Sequence, residues 1–292
     1  MNKLEQFYIY LSVEKRYSPN TVDAYKRDLN AFQAFVKKEN IDIIDELTIK
    51  SYLAFLYSKN RSKRTISRKI SCIKSYFKYL NKKFNISCDF INTIKTPKKD
   101  KLLPELIYAD ELNKILNYEF NDDFCYRNKA IIHLLYSSGI RVSELCSITL
   151  ASLDLEKRYL VVTGKGNKTR ICPFSKDCKA ILENYINMER NKKVSSSCNY
   201  LFINKFGDKI STRAIQYIVN NLSIKLFGTK KLHPHLFRHT YATNLLNNGA
   251  DLRTVQELLG HSSLMTTQVY THLAKEEINK IYKISHPRGE TN

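Results

Sequence analysis

Three histidines and one arginine lie within seven residues of the stretch HPHLFRHT, which begins at residue 233. His235 and His239 are four residues apart, the spacing of zinc-binding histidine pairs on one helical face. However, no HExxH motif occurs, no cysteine lies nearby, and Arg238 would place a cation beside the metal. The stretch on its own therefore leaves two main interpretations, a phosphate-binding site and an ordinary helix surface.

Residues in three other stretches favour phosphate chemistry. Arg141 follows a helix-ending glycine in GIRVSEL, and arginine is the side chain that binds two phosphate oxygens at once. Lys165 lies in TGKGNKTR, where glycines let the backbone approach a ligand, although the spacing of an ATP-binding Walker A loop is absent. His261 and Tyr270 lie in LLGHSSLMTTQVYTHL. Each residue alone has an ordinary structural interpretation, since a turn lysine is usually solvated and the chain contains 19 tyrosines.

Taken together and in this order, these residues resemble the active-site set of the tyrosine recombinase (phage integrase) family. The set consists of Arg141, Lys165, His235, Arg238, His261 and Tyr270. The surrounding motifs also match the family; they are GIRVSEL, GKGNKTR, PHLFRHTYATNLLNNGADL and VQELLGHSSLMTTQVYTH. Two further motifs resemble the bacterial Xer branch, namely YSPNTVDAYKRDL and the HPR at residues 286–288. The sequence departs from the family pattern at Thr169 and Phe237, neither of which carries catalytic chemistry.

The resemblance implies a site-specific recombinase that cuts and rejoins DNA through a covalent 3′-phosphotyrosyl intermediate and a Holliday junction. Tyr270 would be the nucleophile, Lys165 would protonate the leaving 5′ oxygen, and His261 would hydrogen-bond the phosphate. No metal, ATP or other cofactor is implied. Resolution of chromosome or plasmid dimers is the expected role, and the chain length favours it over integrases with an additional arm-binding domain.

Other functions remain open at this stage. An integrase or excisionase of a mobile element, a type IB topoisomerase-like enzyme and a non-catalytic DNA-binding relative would all keep much of the same pattern. A metal-dependent nuclease would differ from them by losing activity in EDTA.

The charge of the chain favours a polyanionic partner. The sequence has 48 Lys and Arg against 28 Asp and Glu, a formal net charge of +20. Its apolar runs are too short for a membrane span and its start is a poor signal peptide. The seven cysteines are scattered without a CxxC motif, which is typical of a reducing cytosol. These features favour a nucleic acid as the partner and the cytosol as the location. The resemblance implies, more narrowly, double-stranded DNA and a cytoplasmic, nucleoid-associated location.

Helical periodicity predicts a mainly α fold. The resemblance implies a two-domain, C-shaped DNA clamp, with an N-terminal four-helix core-binding domain and a C-terminal α-rich catalytic domain that contains a small antiparallel sheet. We expect residues 1–95 to form the first domain, the proline- and lysine-containing segment 96–106 to be a linker, and residues 107–292 to form the second. LVV and RICPF, on either side of GKGNKT, predict a β-hairpin.

The first domain offers a candidate DNA-binding helix. Between Lys59 and Lys83 the chain carries ten Lys or Arg and no acidic residue. The basic side chains of this segment that lie outside its apolar stripe are suited to binding the phosphates of a DNA backbone. A solvated charged face is an equally good interpretation. The candidates are Arg64, Arg68, Lys74 and Lys78.

The resemblance also predicts an assembly. We expect a short inverted-repeat DNA site, bound by a homotetramer or by a heterotetramer with a second, related recombinase on two duplexes. A DNA translocase is a further candidate partner. The late segment AKEEINKIYKI has isoleucines at helical spacing, and we expect it to be either a last core helix or a tail that packs into a neighbouring protomer.

Overall fold

The computed structural model describes residues 2–41, 43–88, 90–94, 96, 105–164, 169–196, 198–229, 231–260, 282 and 285–288. The chain divides into two compact units, Met1–Leu103 and Pro104–Asn292, which we call the N-terminal and C-terminal units. Both are mainly helical, and the C-terminal unit adds a small antiparallel sheet, so the predicted fold class is confirmed. None of the described helices combines the length and apolar character needed to cross a membrane.

The N-terminal unit contains four long helices and one short helix among its described residues. They are α1 (Lys3–Val13), α2 (Pro19–Lys38), α3 (Glu46–Ser58), α4 (Lys63–Phe84) and α5 (Phe90–Thr93). Local sequence sets where two of them begin. The hydroxyls of Ser18 and Ser62 accept hydrogen bonds from backbone N–H groups of the first turns of α2 and α4, and Pro19 occupies the first helical position of α2.

Helix α4 buries the apolar stripe that its sequence predicts. The stripe consists of Ile66, Ile70, Ile73, Phe77 and Leu80, all of which are at most 6% exposed. They join one hydrophobic core with apolar side chains from the other helices of this unit. Burial contributes roughly 1.5–3 kcal/mol to the free energy of unfolding for each large apolar side chain. Because the stripe faces the core, most of the cations of α4 lie on the opposite face.

The C-terminal unit contains eight helices among its described residues. They are α6 (Ala109–Leu116), α7 (Cys125–Ser138), α8 (Val142–Leu145), α9 (Lys176–Tyr185), α10 (Asn191–Lys193), α11 (Thr212–Phe227), α12 (Pro234–Asn247) and α13 (Leu252–Leu259). Helix α7 lies at the centre, with eleven of its residues buried, and it packs against α9 and α12. A helix that is buried on nearly all sides has no polar face toward water, so its buried polar side chains need internal partners. His133, for example, shares a hydrogen bond with the carbonyl oxygen of Leu116, and the Ser138 hydroxyl donates to the carbonyl oxygen of Leu134.

The sheet has three antiparallel strands in the order β1 (Leu153–Asp154), β2 (Tyr159–Thr163) and β3 (Thr169–Pro173). Strands β2 and β3 pair from Tyr159 opposite Pro173 to Thr163 opposite Thr169. This pairing confirms the predicted hairpin. Its connecting residues 165–168 lie outside the described residues, whereas β1 was not predicted.

The described end of the chain packs on α12 of the same unit. Tyr282 is 2% exposed, and its ring stacks on that of His286 with 4.7 Å between the ring centroids. The Asn248 side chain, at the end of α12, donates a hydrogen bond to the carbonyl oxygen of Ser285 at 2.9 Å. The predicted apolar tail positions Ile278, Ile281 and Ile284 lie outside the described residues.

Position 139, at the end of α7, requires glycine for two physical reasons, its backbone conformation and its close packing. Substitutions at two glycines can separate these two effects on stability. Gly139 has φ +57°, which disfavours any side chain, and a Cβ built there would lie 2.5 Å from the Tyr241 ring. Gly249 has φ +88° but nothing within 4 Å of such a Cβ. We expect Gly249→Ala to lower the free energy of unfolding by about 1–2 kcal/mol through backbone strain alone. Gly139→Ala should lower it by a further ~1–3 kcal/mol through overpacking.

Urea denaturation of both variants measures this difference, provided that the denaturant slopes match that of the wild type. Equal losses for the two variants would contradict the close packing of Tyr241 on the end of α7.

Candidate active site

Arg141 is held at the junction between α7 and α8. Gly139 ends α7 in the left-handed region, and Arg141 is the residue before the first turn of α8. Its Nη1 donates to Glu144 Oε1 at 2.8 Å, and its backbone N–H donates to Glu144 Oε2 at 2.9 Å. Its Nη2 donates to the carbonyl oxygen of Gly260 at 3.1 Å. Glu144 therefore both holds the Arg141 side chain and caps the start of α8.

Arg238 lies on α12 and is 9% exposed. Its Nη1 donates to the carbonyl oxygen of Gly139 at 2.8 Å, and its Nη2 donates to the carbonyl oxygen of Leu259 at 2.5 Å. Leu259 and Gly260 are adjacent, so Arg141 and Arg238 bind neighbouring carbonyl groups at the end of α13. The structure therefore brings together two arginines that are 97 residues apart in the sequence.

A third arginine, which the sequence analysis did not identify, completes this cluster. Arg170 on β3 donates from Nη1 to Glu144 Oε1 at 2.7 Å and from Nη2 to Oε2 at 2.8 Å. Its Nε donates to the carbonyl oxygen of Leu258 at 3.0 Å. One signal was available, because a charged residue within an otherwise apolar strand such as TRICPF requires a buried partner.

The cluster of Arg141, Arg170, Arg238 and Glu144, called the arginine cluster below, carries more positive than negative charge. Burial alone would raise the pKa of the Glu144 carboxyl, but hydrogen bonds and charge from Arg170, together with hydrogen bonds from Arg141, lower it to about 2. Burial lowers the pKa of Arg238 to about 10, and the charges of Arg141 and Arg170 add to that lowering. One carboxylate faces three guanidiniums, so the cluster is suited to binding an anion.

The histidines of HPHLFRHT have different positions around the start of α12. His233 precedes the helix, and its Nδ1 accepts a hydrogen bond from the backbone N–H of Leu236 at 3.1 Å, which makes it a structural cap. His235 and His239 are exposed on α12. His235 is three residues before Arg238, so both lie on neighbouring parts of one helical surface. No group of histidine, cysteine or acidic side chains able to hold a metal occurs among the residues that the structure describes.

Lys165, His261 and Tyr270 lie outside the described residues. Next to two of them, the described chain is held by hydrogen bonds. Lys165 follows the paired end of β2 in the hairpin, and His261 follows Gly260, whose carbonyl group binds Arg141.

The four candidate DNA-binding residues of the N-terminal unit differ in their surroundings. Arg64 and Lys78 are exposed on α4. The Arg68 side chain is 47% exposed and forms an ion pair with Asp28, a buried carboxylate that Lys69 also contacts at 3.0 Å. Lys74 donates a hydrogen bond to the carbonyl oxygen of Ile94 at 2.5 Å. Among these candidates, Arg68 and Lys74 therefore have internal structural partners, whereas Arg64 and Lys78 are exposed.

The chain matches two family models. The phage integrase family model matches residues 105–277, and the model of the phage integrase N-terminal SAM-like domain matches residues 4–83. The sequence is 39% identical to tyrosine recombinase XerC of Staphylococcus saprophyticus, over 99% of both chains. It is also 39% identical to tyrosine recombinase XerC of Anoxybacillus flavithermus, over 98% of both chains.

Solved structures show the same fold. The XerA recombinase matches with a TM-score of 0.51 and 30% identity, over 98% of this chain and 99% of that one. The XerH site-specific recombinase bound to palindromic difH substrate matches with a TM-score of 0.69 and 24% identity, over 96% of this chain and 84% of that one. The Tn1549 transposon integrase in complex with transposon right end DNA matches with a TM-score of 0.71 and 17% identity, over 95% of this chain and 98% of that one.

The family models together span both units, and the XerC relatives match at nearly full length. The chain therefore belongs to the tyrosine recombinase (phage integrase) family, and within it to the bacterial Xer-type recombinases.

Proposed function

We propose that the protein is a Xer-type site-specific recombinase that cuts and rejoins DNA strands through a 3′-phosphotyrosyl intermediate at Tyr270 and a Holliday junction. The observation that carries this proposal is the arginine cluster, which is fixed by internal hydrogen bonds, is short of negative charge and keeps Arg141 31% exposed. Its natural ligand is a phosphodiester, which is itself an anion and gains charge in the transition state of transesterification. The similarity to XerC recombinases favours dimer resolution over the mobile-element alternative.

Each residue of the set has a chemical task in this reaction. Arg141 and Arg238 would neutralise the non-bridging phosphate oxygens, and His261 would hydrogen-bond the phosphate. A tyrosine hydroxyl, with a pKa near 10, needs a base and a positive field to become a nucleophile, and His235 with the arginines would supply both. Lys165 would give a proton to the leaving 5′ oxygen.

The bond changes balance without a cofactor. The Tyr270 hydroxyl oxygen forms a bond to phosphorus as the bond from phosphorus to the 5′ oxygen breaks, and the 5′ oxygen leaves as a hydroxyl group. The 3′-phosphotyrosyl ester is still a phosphodiester. A second 5′ hydroxyl can therefore attack it, reseal the strand and release the tyrosine without ATP.

The two units would divide the work. We propose that the N-terminal unit binds the core of a short inverted-repeat site and that the C-terminal unit carries the catalytic chemistry, with residues 96–106 as the link. Recombination joins two duplexes, which calls for a homotetramer or a heterotetramer with a second recombinase. The charge of the chain and the need for chromosomal DNA support a cytoplasmic, nucleoid-associated location and a DNA translocase as a further partner.

Covalent trapping tests the proposed nucleophile. We expect wild-type protein in EDTA to form a slow-migrating protein–DNA species on a denaturing gel when it is incubated with nicked duplexes that carry degenerate Xer-like half-sites. Tyr270→Phe should abolish that species, because it removes the attacking oxygen. Tyr217→Phe, at a tyrosine on α11 that is 68% exposed, is the matched control and should behave as wild type. Sequencing the trapped DNA gives the site.

A covalent species that persists in Tyr270→Phe would contradict the assignment of the nucleophile. DNA cleavage that forms no covalent species, is lost in EDTA and returns with added Mg²⁺ would instead favour a metal-dependent nuclease, in which a metal-activated water is the nucleophile.

Salt dependence tests the role of α4 in binding the DNA backbone. Each phosphate contact contributes about −0.9 to the slope of log K against log salt concentration. We expect the double variant Arg64→Ala/Lys78→Ala to weaken binding of a duplex site and to reduce the magnitude of the slope by about 2. The double variant Lys37→Ala/Lys38→Ala removes the same charge from the exposed end of α2 and should change the slope less. Equal changes in slope would show a non-specific effect of net charge.

A further inference from the structure

We propose that Arg170 is a positioning residue for the phosphate-binding arginines, an inference that rests on the proposed function and adds a residue to its machinery. The side chain of Arg170 is 5% exposed, and all three of its nitrogens donate to acceptors inside the C-terminal unit. Arg170 is therefore not placed to bind DNA itself. Its side-chain contacts to Glu144 and to Leu258, and the backbone pairing of its strand, instead lead to three parts of the proposed active site.

The first contact fixes Arg141 through Glu144. The guanidinium of Arg170 binds both carboxylate oxygens of Glu144, and this two-point contact stops the carboxylate from rotating. The same two oxygens accept the Nη1 and the backbone N–H of Arg141. The orientation of Arg141 therefore depends on a carboxylate that Arg170 holds in place.

The second contact fixes the end of α13. The Nε of Arg170 donates to the carbonyl oxygen of Leu258, and the next two carbonyl groups bind Arg238 and Arg141. Gly260 packs directly on the Arg170 side chain, because a Cβ at Gly260 would lie only 2.9 Å from Arg170 Cδ. The chain continues from this point to His261, so Arg170 anchors the segment that leads to the remaining catalytic residues.

The third contact is through the backbone. Arg170 lies on β3 opposite Val162 of β2, and these strands form the hairpin whose connection contains Lys165. By binding Glu144 and α13, Arg170 ties this hairpin to the arginine cluster. The side chain thus links the proposed proton donor, one phosphate-binding arginine and the approach to His261.

Lysine cannot replace arginine in this arrangement. An ammonium group is a point charge, whereas the contacts to Glu144 and Leu258 need the planar fork of a guanidinium. Arg170→Lys keeps the positive charge but loses the planar arrangement of donors that binds Glu144 and Leu258 together. Displacement of a catalytic group by about 1 Å costs about a hundredfold in rate, and Arg141 would be displaced in this way.

Arg190 offers a matched control in the same unit. It is 3% exposed, and its guanidinium donates to the backbone carbonyl groups of Cys198, Tyr200 and Leu201 without contacting the arginine cluster. Arg190→Lys therefore also places a lysine at a buried arginine position and lowers stability for that reason, but Arg190 has no contact that leads to Arg141. The comparison of the two variants separates positioning from general destabilisation.

The experiment measures duplex affinity and single-turnover covalent cleavage on the nicked site recovered by trapping, below the unfolding temperature of each variant. We expect Arg170→Lys to bind the duplex within about threefold of wild type and to cleave it about a hundredfold more slowly. Arg190→Lys should cleave within about threefold of wild type. If Arg170→Lys does not fold, Arg170→Gln is compared with Arg190→Gln, since glutamine keeps a hydrogen-bond donor at each position without the planar fork of a guanidinium, and the same pattern is expected.

A double-mutant cycle supplies the decisive readout. If Arg170 acts through Arg141, then in an Arg141→Lys background the Arg170→Lys change should cost less than about tenfold in cleavage rate. Arg190→Lys should cost the same in both backgrounds. Additive losses for Arg170 and Arg141, or equal losses for Arg170→Lys and Arg190→Lys, would overturn the inference while leaving the proposed function intact. Wild-type protein that forms no covalent species would overturn the proposed function and this inference with it.

Discussion

The packing of three guanidiniums, two of them buried and that of Arg141 31% exposed, beside a single buried carboxylate is the constraint on which the C-terminal unit depends. An ion taken out of water costs several kcal/mol, and Glu144 can neutralise only one of the three cations. The end of α13 supplies the remaining compensation, because the carbonyl oxygens of Leu258, Leu259 and Gly260 each accept a hydrogen bond from a different arginine. Carbonyl groups at the C-terminal end of a helix have no partner within the helix and carry partial negative charge. They therefore attract the guanidiniums without cancelling their full positive charge.

This arrangement leaves the protein with two kinds of positive charge that suit two different tasks. The exposed cations of α4 lie in water, where screening makes each contact weak, and such charges are suited to holding a DNA backbone in register. The arginine cluster lies at the edge of a low-dielectric interior, with Arg170 and Arg238 buried and Arg141 partly exposed, and a fixed donor there acts strongly on charge that develops during the reaction. The ion pair of Lys69, whose side chain is 13% exposed, with the buried carboxylate of Asp28 shows that even the N-terminal unit does not present all of its cations to solvent.

The sequence predicted elements whose cause is local, and it failed where the cause is tertiary. Ser18, Ser62 and Gly139 mark helix ends through their own side chains or backbone, and the hairpin follows from two apolar runs around a glycine turn. Arg170 was missed because its importance comes from partners 26 and 88 residues away in the sequence. For the same reason, nothing in the basic run of α4 indicated that Lys74 bonds the carbonyl group of Ile94.

The two glycines next to the arginine cluster have a role that their flexibility alone does not explain. Gly139 and Gly260 each end a helix in the left-handed region, and each presents a carbonyl oxygen to an arginine that comes from another part of the chain. Gly139 binds Arg238, and Gly260 binds Arg141, so each arginine is oriented by the end of a helix that does not carry it. A residue with a side chain would strain the left-handed turn at either position and move the carbonyl group that it presents. The glycines of GIRVSEL and LLGHSS are therefore part of the machinery that orients the arginines, and the geometry of the cluster is set as much by backbone conformation as by side chains.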